Sequence, residues 1–393
     1  MNEQPTIVIT CAPHNGPLLA EEVKALGYPV KSSSILEVST EGTLHDCMHL
    51  NLHLRSAHRV LYQLRRFNAK NADQLYRYLI NIPWEDYIPA DSYFSVGSYV
   101  KNLTIRDTRF ANLKVKDAIV DRLQQKYGRR PDTGPKQDRI VVFLHWREEE
   151  AGIFLDTSGE SIARHAYRRV TVEAPMQEAL AAAVVQATRW HPSQPLVNPM
   201  CGSGTLAIEA ALIKASKAPG LLRDNFAFMH LKTFDRLVWE KMISQAQQQL
   251  RQRMDTFVNQ MPVIIATDND PKAISAARQN AAAAGVAGLI RFEIADFRDT
   301  ELPRPAEGSE GKAVVLINPP YGERLGEEEE LAGLYQQIGD FFKQHCAGYF
   351  GYIFTGNLRL GKTVGLKTKR KVEFFNGKIE SRLLEYELYT GKR

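Results

Sequence analysis

Val314-Val-Leu-Ile-Asn-Pro-Pro-Tyr-Gly322 is the stretch on which the reading of this chain turns. Val314 to Ile317 is an apolar, largely β-branched run with no polar break, the pattern of a strand buried on both faces. It stops at Asn318 because Pro319 and Pro320 cannot donate to a ladder. In an open α/β sheet, ligands bind beyond the carboxyl ends of the strands, so Asn318 and the residues after it face a crevice. Asn318 offers a side-chain carbonyl, and Pro319 and Pro320 offer only backbone carbonyls. This acceptor-only lip suits the exocyclic amino group of a nucleobase, whose two hydrogens it can hold while the nitrogen lone pair is aimed at an electrophile. Tyr321 adds an aromatic face for an unstacked base, a contact worth ~1–3 kcal/mol. A bare Pro-Pro turn leaving a strand carries the same letters, so the other strand ends must be read with it.

Upstream, Leu196 and Val197 end a short strand, and Asn198-Pro-Met200-Cys201-Gly202-Ser-Gly204-Thr205 turns into a helix over Leu206 to Ala215. Gly202 and Gly204 permit a tight turn and a close backbone approach by a ligand. Ala207 stands where G-x-G-x-x-G has its third glycine, and no Gly-Lys-Ser/Thr follows, so a pyrophosphate or triphosphate fits poorly. S-adenosylmethionine fits better, with its methionyl end over the turn. Pro262 to Thr267 is the next buried strand and ends at Asp268, expected to hold the ribose hydroxyls with Asn269 beside it. Ile290 to Ala295 ends at Asp296, expected to accept from adenine's amino group, with Phe297 packing on the ring. Asn198, Asp268, Asp296 and Asn318 thus end successive buried strands and are expected to face one crevice. A capping role explains any one of them alone and explains the ordered set poorly.

At 393 residues and 44% hydrophobic content the chain has room for two or three domains with a substantial core. Cys11, Cys47, Cys201 and Cys346 contain no Cys-x-x-Cys pair, which argues against a disulfide framework and a thiolate zinc site. No leader pattern and no run of about 18 apolar residues is present, so a cytoplasmic protein without membrane spans is expected. The net charge is only +5, but Lys101 to Arg139 holds 11 Lys/Arg against 5 Asp/Glu, and Arg359 to Arg393 holds 10 against 4. Such clusters supply the salt-sensitive attraction of nucleic-acid binders, and a solvated helix face has the same composition.

The first 65 residues read as a small α+β unit: strands at Thr6 to Thr10, Ser34 to Val38 and Arg59 to Leu64, with helices at Leu18 to Leu26 and Thr43 to Leu54. His45, His49 and His53 share one helix face, but no further metal ligand is visible, so no metal is expected. Residues 66–160 read as a compact RNA-binding platform with a strand at Tyr93 to Ser98, a helix at Leu113 to Tyr127 and strands at Arg139 to Leu144 and Ile153 to Leu155. Lys101, Arg106, Arg109, Arg129 and Arg130 are its candidate RNA contacts, joined by Arg168 in the connector Ser161 to Arg169. The enzyme domain is expected over 161–393, with Pro175 starting its first helix and an insertion at about 216–260 laid outside the sheet. Asn376-Gly377 between strand-like runs signals a closing hairpin.

Together, Asn198-Pro-Met-Cys-Gly-Ser-Gly-Thr, Asp268-Asn-Asp-Pro, Asn318-Pro-Pro-Tyr-Gly-Glu-Arg and the closing hairpin resemble the THUMP-bearing ribosomal RNA guanine-N2 methyltransferases of bacteria, over nearly the whole chain. The resemblance implies a ferredoxin-like and THUMP module followed by a class I, Rossmann-like methyltransferase with a seven-stranded sheet. It also implies S-adenosylmethionine as donor, S-adenosylhomocysteine as product, and N2-methylguanosine in 23S rRNA as the modification. Asn318, Pro319, Pro320 and Tyr321 would be catalytic, and Asn198, Met200, Cys201, Gly202, Gly204, Thr205, Asp268, Asn269, Asp296 and Phe297 would bind the cofactor. Asn198 departs from the aspartate usual there. The readings left open are an N6-adenine DNA methyltransferase and a non-catalytic RNA-binding assembly factor.

Overall fold

The structure, a computed structural model, describes residues 5–105, 107–171, 176–257, 263–305, 312–322 and 327–389. It divides into two compact units: Met1–Cys11, Leu19–Ile162 and Arg223–Gln245 form the first, and Ala12–Leu18, Ala163–Leu222 and Ala246–Arg393 the second.

The strands of the first unit are β1 (Thr6–Cys11), β2 (Ser32–Ser33), β3 (Glu37–Glu41), β4 (Ala57–Asn68), β5 (Tyr93–Lys101), β6 (Asp132–Thr133), β7 (Ile140–Arg147) and β8 (Glu150–Asp156). They make one eight-stranded sheet in the order β2-β3-β1-β4-β8-β7-β5-β6. The long β4 joins its halves by pairing antiparallel with both β1 and β8. The helices up to β7 are α1 (Gly16–Ala25), α2 (Leu44–His53), α3 (Ala72–Leu79) and α4 (Thr108–Tyr127). A capping box starts α2: the Thr43 hydroxyl accepts from Asp46 N, and the Asp46 carboxylate accepts from Thr43 N at 2.7 Å. The expected helix from Leu113 begins earlier, at Thr108, because the Asp107 carboxylate caps it by accepting from Arg109 N at 2.9 Å.

The second unit contains α5 (Glu178–Gln186), β9 (Leu196–Pro199), α6 (Thr205–Lys214), β10 (Ile264–Asp268), α8 (Pro271–Ala283), β11 (Ile290–Ile294), β12 (Val314–Ile317), α9 (Glu327–His345), β13 (Phe350–Thr355), α10 (Leu358–Thr363), β14 (Arg370–Asn376) and β15 (Ile379–Glu387); α7 (Arg236–Asp255) crosses the division. The seven-stranded sheet runs β11-β10-β9-β12-β13-β15-β14. The first five strands are parallel, β15 pairs antiparallel with β13, and β14 and β15 form the hairpin signalled by Asn376-Gly377, with Gly377 at φ 63°. The expected fold class holds. Val314, Val315, Leu316 and Ile317 are each 0% exposed. Alternate residues serve opposite faces: Val314 and Leu316 pack with α5 and α6, while Val315 and Ile317 pack with α9. Each such burial contributes ~1.5–3 kcal/mol, which anchors the strand that carries Asn318.

Two expectations about this half change. The insertion at 216–260 does not act as one piece. Residues 223–245 fold with the first unit, where Phe226 and Phe228 stack at 5.2 Å and both meet the Trp239 ring edge-on, an apolar cluster that needs cover. The helix expected to start at Pro175 begins at Glu178, and residues 174 and 175 lie outside the described residues.

Candidate functional site

Beyond β9 the backbone turns through three left-handed residues, Met200 (φ 56°), Gly202 (φ 54°) and Gly204 (φ 81°), before α6 begins at Thr205. Met200 is the costly member, since a side chain in that region is strained by about 1 kcal/mol or more. At Gly204 an added Cβ would come within 2.9 Å of the Ala277 Cβ, so only glycine lets α6 lie this close to α8. The turn is fixed from β10: Cys201 N donates to Thr267 O at 2.9 Å, and Gly202 N donates to Asp268 Oδ2 at 2.9 Å. Asp268 Oδ1 accepts from Asp270 N at 3.0 Å. Asp268 therefore binds backbone through both oxygens, each of which keeps a second lone pair. Asn269 beside it is exposed. The Cys201 thiol is pushed well up, by burial first and Asp268 second, so it stays protonated and is no nucleophile.

Asn280 on α8 was not singled out from the sequence, and it locks this turn to the connector. Its Oδ1 accepts from Arg169 N at 2.8 Å and Val170 N at 3.0 Å, and its Nδ2 donates to Val170 O at 2.9 Å and Ser203 O at 3.3 Å. A lone amide on the buried face of an alanine-rich helix was the signal available.

At the end of β11, Asp296 caps a short 3-10 turn by accepting from Arg298 N at 2.9 Å, and it pairs with the Arg298 guanidinium at 2.8 and 3.0 Å. That guanidinium holds the Asp296 carboxyl below the usual range. Phe297, expected to pack on the adenine ring, is itself 6% exposed and stands edge-on to Phe341 at 5.8 Å in the core beneath α9, where it anchors the loop.

On the other side of β9, Asn198 Nδ2 donates to Leu316 O at 2.7 Å, which ties the two central strand ends together. Asn198 Oδ1 and Asn318 Oδ1 are both buried acceptors without a partner among the described residues. Pro319 is buried and Pro320 exposed. The Tyr321 ring lies against Gly356, where a Cβ would meet it at 3.0 Å, and its hydroxyl accepts from Asn376 Nδ2 at 2.9 Å. Tyr321 lines a cavity of about 720 Å³ with Asn357, Arg359, Ile379, Glu380 and Arg382. That lining includes none of residues 198–205; the Asn198 bond joins β9 to β12 within the shared sheet. Asn376 was read from the sequence only as a turn residue.

Among the RNA candidates, Lys101, Arg129 and Arg130 are exposed, Arg109 is exposed but paired with Asp107 at 2.8 Å, and Arg106 lies outside the described residues. Arg168, expected to contact RNA, donates through Nε to Glu178 at 3.0 Å and through Nη2 to Met176 O at 2.6 Å, with the side chain 15% exposed, so it braces the connector. Near the start of α4, Leu103, Phe110 and Leu113 are exposed as well. Among the described residues no cluster of three His/Cys/Asp/Glu could hold a metal, and no helix is long and apolar enough to cross a membrane.

Family models match three segments: the RlmL ferredoxin-like domain at residues 6–61, the THUMP domain at 69–156, and the UPF0020 RMKL-like methyltransferase domain at 165–385. A ribosomal RNA large subunit methyltransferase K/L of Syntrophotalea carbinolica is 38% identical over 95% of this chain and 52% of its own length. The chain thus spans about half the length of the first curated relatives it matches. The crystal structure of SMU.472 complexed with SAH superposes with a TM-score of 0.85 at 27% identity, covering 100% of both chains. The crystal structure of a predicted N6-adenine-specific DNA methylase from Listeria monocytogenes superposes with a TM-score of 0.84 at 32% identity, covering 98% of this chain and 96% of that one.

Proposed function

The chain belongs to the UPF0020, RMKL-like methyltransferase family, and from that premise we propose that it methylates the exocyclic N2 amino group of guanine in RNA, with S-adenosylmethionine as donor and large-subunit ribosomal RNA as substrate. The donor reading draws on the SAH bound by SMU.472, and the substrate reading on the name of the Syntrophotalea relative. The residues present fit the donor: Asn198 Oδ1 is a buried acceptor awaiting an N–H group, and Asp268 beside the glycine-rich turn keeps lone pairs for hydroxyls. When bound, S-adenosylmethionine supplies a methyl group already activated on a sulfonium, so what remains for the protein is placement.

The observation that carries the reading is the buried, unpartnered Asn318 Oδ1 at the carboxyl end of a central parallel strand, followed by a proline that can offer only its carbonyl. Those two acceptors hold the hydrogens of an amino group and leave its lone pair directed outward. Tyr321, steadied by Asn376, gives the base a ring to lie on. Such positioning supplies much of the acceleration in a reaction between two oriented groups. A paired guanine must first leave its stack, which costs a few kcal/mol and favours single-stranded or opened RNA.

The same lip fits adenine N6 in DNA, the reading favoured by the Listeria neighbour. The THUMP match and the exposed basic residues around α4 favour RNA. Tritiated methyl transfer to ribosomal RNA from a strain lacking this chain, to other RNA and to DNA, followed by nucleoside digestion, separates the readings. N2-methylguanosine in large-subunit RNA is expected. N6-methyladenine in DNA would overturn the substrate, and no incorporation in any arm would favour a binding protein.

A further inference from the structure

We propose that the cavity beside Tyr321 is a second nucleotide subsite, which takes the residue adjoining the target guanosine in the RNA chain, and that Arg359 meets the phosphate between the two. The proposal rests on the methyl-transfer reading above and gives a place to the nucleotide that is not methylated. The strand order β9-β12-β13-β15 sets the glycine-rich turn on one flank of the acceptor loop and the end of β13 on the other. β13 runs parallel to β12, so Gly356, Asn357 and Arg359 follow its carboxyl end. β15 enters at that same end, where Arg382 pairs with Thr355. These loop residues, Arg382 and Tyr321 line the cavity of about 720 Å³, within the ~300–1,000 Å³ usual for a bound small molecule. Tyr321 belongs to both places, since it closes the Asn318 motif and walls the cavity, held there by Asn376.

The basic cluster from Arg359 to Arg393 supplies the charge, and the fold sorts it. All four of its acids are taken: Glu387 by Lys369, Glu385 by Arg370 at 2.9 Å, and Glu373 and Glu380 by Arg382, the former at 3.1 Å. Arg359, Lys362, Lys367, Lys371 and Lys378 are exposed and enter no ion pair among the described residues. Of these, Arg359 alone lines the cavity. Arg382 lines it too, but two carboxylates hold it and its side chain is 14% exposed, so it is a fixed part of the wall. The backbone of the first turn of α10 is also engaged, since Asn357 Oδ1 accepts from Arg359 N at 2.9 Å and Leu360 N at 3.2 Å. An anion there is left to the Arg359 side chain. An unpaired guanidinium and an aromatic ring on one hollow match the two halves of a nucleotide, its phosphate and its base.

The test uses the full chain and a short single-stranded RNA containing the guanosine it methylates, with the phosphodiester on either side replaced in turn by an uncharged methylphosphonate. Arg359→Ala is compared with Lys362→Ala, an equal loss of charge outside the cavity. One of the two replacements should lower the wild-type kcat/KM about 10-fold, the scale of a charged hydrogen bond. Arg359→Ala should lose about 10-fold on unmodified RNA and nothing further on that methylphosphonate, because the contact is already gone. Lys362→Ala should stay within about twofold, and S-adenosylhomocysteine affinity should hold in both variants. The proposal is overturned if neither linkage matters to wild type, if the two losses multiply, or if Lys362→Ala matches Arg359→Ala. A second arm is independent of turnover. Mixed-sequence single-stranded RNA carrying photoreactive thiouridine, irradiated with the wild-type chain and S-adenosylhomocysteine, should attach within 356–359 or 379–382, and attachment only elsewhere overturns the subsite. If wild type methylates no RNA, the methyl-transfer reading fails, while the crosslinks still decide whether the cavity takes a nucleotide.

Discussion

Asn51 in the first unit and Asn198 in the second are each 1% exposed, yet their amides are used differently. Asn51 Nδ2 donates to Cys47 O and Thr157 Oγ1, both at 2.8 Å, and its Oδ1 accepts from Ser158 Oγ at 2.6 Å. Thr157 Oγ1 donates on to Val60 O, and Ser158 Oγ accepts from Val60 N, so the network closes between α2, β4 and the loop after β8. Asn198 makes one donation and leaves its oxygen unused, and the Asn318 oxygen one strand away is unused too. A fully satisfied buried network stabilises the fold and has nothing left for a ligand. Unused acceptors at adjacent strand ends leave hydrogen-bonding capacity that an incoming N–H can meet.

The largest expected effect breaks or upholds that contrast directly. Asn318→Ala should lower kcat/KM for RNA about 10³-fold, the scale of losing a donor or acceptor aligned on reacting groups. The melting temperature should stay within about 2 °C, because the atom removed bonds nothing in the protein. Parallel losses of activity and stability would make Asn318 a structural residue. The converse experiment is Asn51→Leu, which strands the Ser158 hydroxyl and should cost about 2–3 kcal/mol in urea unfolding. The folded fraction should keep its kcat, and a fall in kcat at full folding would show that the first unit reaches the chemistry.

The strand-end half of this contrast was legible in the sequence, the Asn51 network was not, and what was hidden has one cause. The Val314–Gly322 stretch announces itself locally: a β-branched run fixes the strand, alternate burial on two faces follows from its pleat, and the prolines end it. The closing hairpin was likewise carried by Asn376-Gly377. Partner choice was not legible, because it is decided by residues distant in the chain. Arg168 looked like one more cation in a basic connector until Glu178 and the Met176 carbonyl claimed it. Nor did the letters around Phe297 show that its ring would stand edge-on to Phe341 in the core. Asp268 proved to be tied to Gly202 and Asp270, and Asn280 and Asn376 acquired roles only when their partners 70 or more and 55 residues away came into reach.

The two units should also differ in acid. Burial, with His49 and Arg55 behind it, holds His53 down to about 4, and the Arg122 side chain holds Glu85 down to about 2. Both groups bind protons more readily in the unfolded chain. Their contributions are therefore intact above the unfolded values, near 6.5 and 4.5, and are lost as pH falls, between about 6.5 and 4 for His53 and between 4.5 and 2 for Glu85. In the second unit, the depressed carboxyl of Asp296 sits in a pair whose Arg298 side chain is 57% exposed and adds little stability. Chemical unfolding followed from pH 7 to about 4 by hydrogen exchange should show the first unit losing protection first. Asn51 and its network lie in that unit. His53→Gln should flatten the decline between about pH 6.5 and 4; an unchanged slope would assign it to other groups.

The smallest effect asks whether open and closed arginines differ as open and closed asparagines do. Arg130 is exposed after α4, whereas Arg168 is committed to Glu178. If Arg130 meets a phosphate, Arg130→Ala should lower the slope of log affinity against log salt for RNA by about 0.7–0.9 and weaken binding a fewfold at moderate salt, leaving S-adenosylhomocysteine affinity unchanged. Arg168→Ala should leave the salt slope alone and destabilise the second unit instead, since it abandons a buried carboxylate. Arg109→Ala should fall between them, because Asp107 already neutralises that side chain and a phosphate would have to displace it. Equal slopes for Arg130→Ala and wild type would remove the exposed basic surface after α4 from the RNA path and move the search to the cations around Tyr321, where Arg359 lines the cavity.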